Sequence, residues 1–357
     1  MKNLAMDGAM KAPPMLVTDQ APEPTSAGTG FAGRLKALTR SRILRIAVSV
    51  LLLAFLLSRM DLAQLADTLR GIDPGLLAVG VLIFLICNMV SVFKWRVIVR
   101  TQGTPVSYFY LTSLFYIGLF FNNFLPSNIG GDVVRTWKLS KVTGKPVEAV
   151  SSVVLDRASS TFALLLIAIV PALFELRLLG ARVAALIIAM FVVSVVAIVL
   201  LANERAVLWL GRFRLFRSDA FGIRGHIKNF YYSLYKFGDH KGALGIVFGC
   251  SLAYQALHIT TIYFLAMSLG IHLPVVYFFL FIPIVIVVGL IPISLNGLGM
   301  REGAWVLLFG QVGLSSAEAF SMSILSYIVV AVVSLAGGIF YLFDRAAPAP
   351  QGDASHG

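Results

Sequence analysis

Residues 121–135 read FNNFLPSNIGGDVVR, two Asn, a Pro, paired Gly and an Asp/Arg pair set inside a strongly apolar run. A segment of the same character, IPISLNGLGMREG, spans residues 291–303. Residues of these types end helices, so each run is read as two short helices meeting at a polar tip. One such break in each half of a chain is a pattern found in transporters, where half-helices meet near the middle of the bilayer.

The class follows from composition. Of the 357 residues 58% are hydrophobic and 13% charged, and the mean hydropathy is +0.87. That is more apolar surface than a soluble core of this size buries, and the apolar runs approach the ~20 residues that cross a bilayer. Cys87 and Cys250 both lie inside apolar runs, which points to small packing residues and away from a disulfide framework or a metal cluster.

Eight apolar elements are expected: residues 43–58, 75–93, a broken run over 108–138, 150–176, 183–202, 244–269, a second broken run over 275–313, and 319–343. Basic residues set their orientation. Arg34, Lys36, Arg40, Arg42 and Arg45 precede the first run, Lys94, Arg96 and Arg100 follow the second, and seven Arg or Lys lie between Arg212 and Lys241. The positive-inside tendency places all of these in the cytoplasm. Arg135, Lys138, Lys141 and Lys145 join them only if the first broken run turns back without crossing. A hairpin over 105–145 therefore enters from the cytoplasm, and by the same parity one over 274–315 enters from outside. The expected fold is an all-α integral membrane bundle of about six full spans and two re-entrant helical hairpins.

Spacing suggests a four-plus-four inverted repeat. From Gly75 to Leu244 is 169 positions, from Pro126 to Pro292 is 166, and from Val150 to Ala319 is 169. The first spans, at Ile43 and Val183, are 140 apart, and a longer basic loop in the second half absorbs the difference. The domain reading is a cytoplasmic tail over 1–33, too poor in hydrophobic periodicity to order itself, a first repeat over 34–176, a second over 177–345, and a tail over 346–357. No cleavable signal precedes the first run. Within the loop over 203–243, Ile227, Phe230, Tyr231 and Leu234 recur at helical spacing opposite Arg224, Lys228 and Lys236, the pattern of a helix lying on an anionic membrane surface. This loop and the N-terminal arm account for the net charge of +12, so nucleic acid is not an expected partner.

The candidate site is the pair of breaks. A short helix starting after Gly130 and Gly131 directs unpaired N–H groups at the tip, where an anionic group is favoured. Arg135 and Arg301 add guanidinium forks suited to phosphate, with Asn128 and Asn296 beside them. Charges at that depth cost a few kcal/mol and are usually kept for a partner or a pathway. Asp132 and Glu302 sit in the first turns, where helix capping, pairing with the neighbouring Arg, and gating are all open readings. Asp156 and Arg157 are adjacent on a helix and do not face each other, so one of them is expected to reach a hairpin as a gating or charge-pair partner; the other open reading is Arg157 snorkelling to the cytoplasm with Asp156 paired to a loop Lys. Asn88 with Ser91, and Gln255 with His258, are pairs three apart related by 167 positions, suited to interhelical hydrogen bonds or to lining a cavity. Walker, zinc-protease and nucleophile-elbow motifs are lacking, and neither cofactor nor metal is expected.

The segments PSNIGGDVVR at 126–135, SSVVLDR at 151–157 and PISLNGLGMREG at 292–303, in that order, resemble the lysylphosphatidylglycerol synthase transmembrane-region family over about residues 75–345. The resemblance implies a module that moves lipids between leaflets. Two-part members add a soluble aminoacyl-transferase domain, and nothing after Asp344 has the length for one, so synthesis of lysyl-lipid is not expected. The expected function is a lipid translocase of the bacterial inner membrane with both termini cytoplasmic, acting on a phospholipid or a polyprenyl-phosphate or glycolipid head group. The alternatives are a membrane transferase using Asp132 or Glu302 as general base, and an accessory subunit of a lipid or glycan synthesis complex. Oligomeric state has no signal in the sequence.

Overall fold

The structure, a computed structural model, describes residues 67–68, 70–104, 106–124, 130–174, 188–189, 191–193, 195–196, 240–289 and 299–343. Among them are eight helices: α1 (Pro74–Thr101), α2 (Tyr108–Phe124), α3 (Gly130–Thr143), α4 (Pro146–Phe174), α5 (Lys241–Ser268), α6 (Val275–Gly289), α7 (Met300–Gly310) and α8 (Ser316–Phe343). The described residues hold no strand. The expected first span, nearly all of the span at 183–202, the interfacial helix around Tyr231 and both tails lie outside the described residues.

Four helices, α1, α4, α5 and α8, are long and apolar enough to cross a membrane. The start of α1 shows why the chain turns there: Pro74 needs no N–H partner at the first helical position, and the Asp73 carboxylate accepts from the amides of Gly75 (2.7 Å) and Leu76 (3.1 Å). On α8 the side chains of Ile328, Val332, Leu335, Ile339 and Leu342 recur at helical spacing and are all exposed, a stripe suited to lipid tails. The other four helices have 17, 14, 15 and 11 residues, short of the ~20 a crossing requires.

These short helices pair. Helix α2 folds back on α3 so closely that a Cβ added at Gly131 would lie 1.8 Å from the Gly118 carbonyl oxygen. The Asn122 side chain then accepts from the Gly131 amide at 2.8 Å. Helix α6 packs on α7 in the same way, with Phe281 edge-on to Phe309. Each hairpin is clasped by a span from the other half of the chain: α8 packs on α2, where Gly337 meets the Tyr116 carbonyl, and α4 packs on α6. Small residues permit such contacts in bundles where tail and side chain are equally apolar.

The most extensive helix pair is α1 with α5. They run antiparallel: the Asp73 amide donates to the Ser268 carbonyl (2.8 Å), Cys87 Sγ to the Tyr254 carbonyl (3.3 Å), and Ile98 clusters with Val247. The helix starts of the two halves keep a regular spacing, Pro74 to Lys241 and Tyr108 to Val275 being 167 apart, Gly130 to Met300 and Pro146 to Ser316 being 170 apart. The stretch from the start of α6 to the start of α7 is thus three residues longer than that from the start of α2 to the start of α3.

Candidate functional site

Five charged side chains meet where α1, α3 and α4 converge. Asp156 on α4 is the hub: its Oδ2 accepts from Arg135 Nη2 at 3.0 Å, and its Oδ1 lies 2.9 Å from Lys94 Nζ. Asp132 lies 3.0 Å from Arg135 Nε and accepts a two-pronged bond from Arg157, 2.8 Å from Nε and 3.1 Å from Nη2. Asp156 and Arg157, neighbours on α4 pointing apart, each reach α3. The guanidinium of Arg135 lies 4.8 Å over the Trp95 ring, whose Nε1 donates to Ser152 Oγ at 3.1 Å. Lys94 also donates to the Asp156 carbonyl and to Ser160 Oγ.

Lys94 is 0% exposed, Arg135 3% and Asp156 5%, so these three ions are held out of solvent, while the Arg157 side chain is 57% exposed at the edge of the cluster. Burial costs several kcal/mol per ion and is offset only where partners are close and well oriented. Here three cations share two carboxylates.

The second hairpin carries a smaller pair. Glu302, 1% exposed, reaches back to the amide of Gly299 (2.6 Å) at the helix start, where the backbone has φ +83°. Its Oε1 accepts from Arg301 Nε (3.1 Å), Arg301 Nη2 (2.8 Å) and Ser323 Oγ (3.3 Å). Glu302 is saturated. Arg301 is not enclosed: about a quarter of its side chain remains exposed, and the guanidinium stands 5.4 Å over the Tyr327 ring.

Arg301 faces a cavity of about 140 Å³ between α1, α2, α5, α6, α7 and α8. Its walls include Asn123, His258, Ser326 and Tyr327. Asn123 Nδ2 and His258 Nδ1 are buried and have no hydrogen-bond partner. Such atoms cost about 1–3 kcal/mol each when unsatisfied, so a ligand that accepts hydrogen bonds gains by filling the space.

The structure therefore separates residues that the sequence reading grouped together. Arg135 is engaged by the chain's own carboxylates, whereas Arg301 opens onto a cavity. Gly130 and Gly131 begin α3, but the Gly131 amide is taken by Asn122. Asn128 and Asn296 lie outside the described residues. Gln255 makes an interhelical bond to the Ser160 carbonyl (2.9 Å), His258 lines the cavity, and Asn88, 2% exposed, leaves Nδ2 without a partner. Lys94 is a correction: the sequence reading counted it with Arg96 and Arg100 as a basic connection, and it is instead a buried member of the ion cluster. Its signal was the spacing of Cys87, Ser91, Lys94 and Ile98, which puts it on the buried face of α1.

Comparison with known proteins agrees with the motifs. The chain is 27% identical to a UPF0104 membrane protein of Methanothermobacter thermautotrophicus over 84% of its own length and 92% of the relative's. It is 23% identical to a UPF0104 membrane protein of Pyrococcus horikoshii over 85% and 97%. No solved structure matches. The family model described as the lysylphosphatidylglycerol synthase TM region matches residues 42–338, and the chain is a membrane protein belonging to that family.

Proposed function

We propose that the protein is a lipid translocase: it carries an anionic head group across the membrane through the polar interior while the acyl chains stay in lipid. The observation that carries this reading is the cavity at Arg301, a cation beside unpartnered buried nitrogens, lined by three helices of bilayer-spanning length, α1, α5 and α8, and by the short helices α2, α6 and α7. Charge kept at such depth is functional by default. Arg301 holds the phosphate, Glu302 holds Arg301, and the Asp156 cluster braces the first hairpin against α1 and α4. Asp132 and Arg157 complete that brace.

The architecture we propose is a four-plus-four inverted repeat with two re-entrant hairpins, in the bacterial inner membrane with cytoplasmic termini. Three features support it: the recurring helix starts, the cross-clasping of each hairpin by the other half, and the antiparallel packing of α1 with α5. Two repeats related by an axis in the membrane plane must run their equivalent helices in opposite directions.

The test uses purified protein in liposomes containing head-group-labelled phosphatidylglycerol, phosphatidylethanolamine or polyprenyl phosphate, with an impermeant quencher reporting the leaflet. Accelerated exchange of an anionic lipid, lost on Arg301→Gln with unchanged thermal melting, is the expected result. Exchange no faster than in empty liposomes overturns the reading, and a chemically altered lipid would replace it with a transferase.

A further inference from the structure

The Arg301 cavity occupies the place that the ion cluster fills in the other half of the molecule. At the spacing of 167 that relates α1 to α5, Lys94 corresponds to Thr261 and Trp95 to Ile262. At the spacing of 170 that relates α3 to α7 and α4 to α8, Asp132 corresponds to Glu302, Arg135 to Trp305, Asp156 to Ser326 and Arg157 to Tyr327. Thr261, Trp305, Ser326 and Tyr327 all line the cavity. In the first half a carboxylate on α4 fills the space and binds the cations around it. In the second half that carboxylate is cut back to the Ser326 hydroxyl, which donates to its own helix at the Met322 carbonyl (2.7 Å), and room is left in front of Arg301.

We infer that the cavity is a phosphoryl-binding site in which a ligand anion takes the position that the Asp156 carboxylate holds in the first half. Most of its wall is apolar, and the polar groups that face it include a guanidinium, an amide nitrogen and, in the tautomer protonated at Nδ1, an imidazole N–H. Arg301 uses Nε and Nη2 on Glu302, which leaves Nη1 for a ligand, and Asn123 Nδ2 and His258 Nδ1 are unpartnered. Glu302 accepts from the Gly299 amide, Arg301 and Ser323, so a cationic group gains little there. Size narrows the class further. A cavity of about 140 Å³ is close to the ~150 Å³ that holds benzene, room for a phosphoryl group and its ester oxygen but not for a sugar ring beside it. The ligand is a phosphate ester with a small or outward-pointing substituent, either a lipid head group or free phosphate. The inference rests on the repeat and takes the lipid as its source from the translocase reading.

The test measures binding to the full chain in detergent micelles, with dioctanoyl phosphatidic acid, dioctanoylglycerol and inorganic phosphate as probes. Phosphatidic acid should bind at least about tenfold tighter than dioctanoylglycerol, since hydrogen bonds to charged groups are worth ~1.5–3 kcal/mol each. Displacement by inorganic phosphate makes the phosphoryl group alone sufficient, and lack of displacement makes the lipid the ligand; the site stands in both cases. Ser326→Asp installs the carboxylate of the first half and should abolish binding, while Ser326→Ala, which leaves the space open and removes only a hydroxyl spent on its own helix, should keep most of it. Equal binding of the two glycerolipids, or of wild type and Ser326→Asp, overturns the site. Binding without leaflet exchange leaves the site and removes the translocase; exchange that persists in Ser326→Asp leaves the translocase and removes the site.

Discussion

At the scale of single residues, Asp156 decides how the first hairpin is held. Its carboxylate meets Lys94 and Arg135, and both cations are shut away from solvent. Asp156→Asn keeps the shape and removes the charge, leaving Lys94 with no carboxylate and Arg135 with only the Asp132 that Arg157 also uses. Loss of one partner from a buried ion pair costs ~3–5 kcal/mol, so this variant should melt well below wild type in detergent. Lys94→Met combined with Asp156→Leu removes both charges and should recover a large part of the loss; a double variant as unstable as the sum of its parts would show that the two do not act as a pair. Part of this site was legible beforehand. Adjacent charges on a helix cannot satisfy each other, so the sequence led to the expectation that Asp156 or Arg157 reaches a hairpin. Lys94 was not legible as a partner because two further basic residues follow it within six positions, and the three together read as a charged loop.

At the scale of the elements, the hairpins depend on contact between backbones. Gly131 sits where any side chain would strike the Gly118 carbonyl, an atom that cannot rotate away. Gly131→Ala should therefore prise α3 from α2 and lower the melting temperature, by the ~1–3 kcal/mol typical of overpacking or more, whereas Gly144→Ala, with nothing within 4 Å, should cost only the strain of its left-handed backbone. The fold was readable at this level because Asn, Pro and Gly inside an apolar run have one common cause, the end of a helix. Boundaries were less so: α1 runs to Thr101, beyond the expected Phe93, because Lys94 and Trp95 continue the buried stripe with polar and aromatic side chains that hydropathy discounts. If the hairpins are re-entrant, the exposed ends of α3 and α7 lie on opposite sides of the membrane. In a Cys87→Ala, Cys250→Ala background, Lys141→Cys should react with an impermeant maleimide only from the cytoplasmic side and Gln311→Cys only from the other. Labelling of both from one side would sink the inverted arrangement.

At the scale of the whole molecule, the two halves share a plan and differ in what fills the centre of each. The first half closes on itself with Lys94, Asp132, Arg135, Asp156 and Arg157, while the second replaces the hub with neutral side chains and keeps an open space at Arg301. On the proposed reading one half is braced and the other loaded, and the difference resides in few positions. It is testable by making the second half resemble the first. Thr261→Lys alone puts a cation into the low-dielectric space near Arg301 with no partner and should destabilise the protein. Ser326→Asp alone supplies an anion that Arg301 can meet and should be tolerated. Together they recreate the Lys94–Asp156 pair, so the double variant should melt higher than Thr261→Lys, with a coupling of ~0.5–3 kcal/mol in the cycle, the range for residues in contact. It should also bind no phosphatidic acid and exchange no lipid, because the protein's own carboxylate then occupies the ligand's place. Additive stabilities would mean that positions 261 and 326 do not meet as 94 and 156 do, and the equivalence of the two halves would fail at the point where function is argued from it.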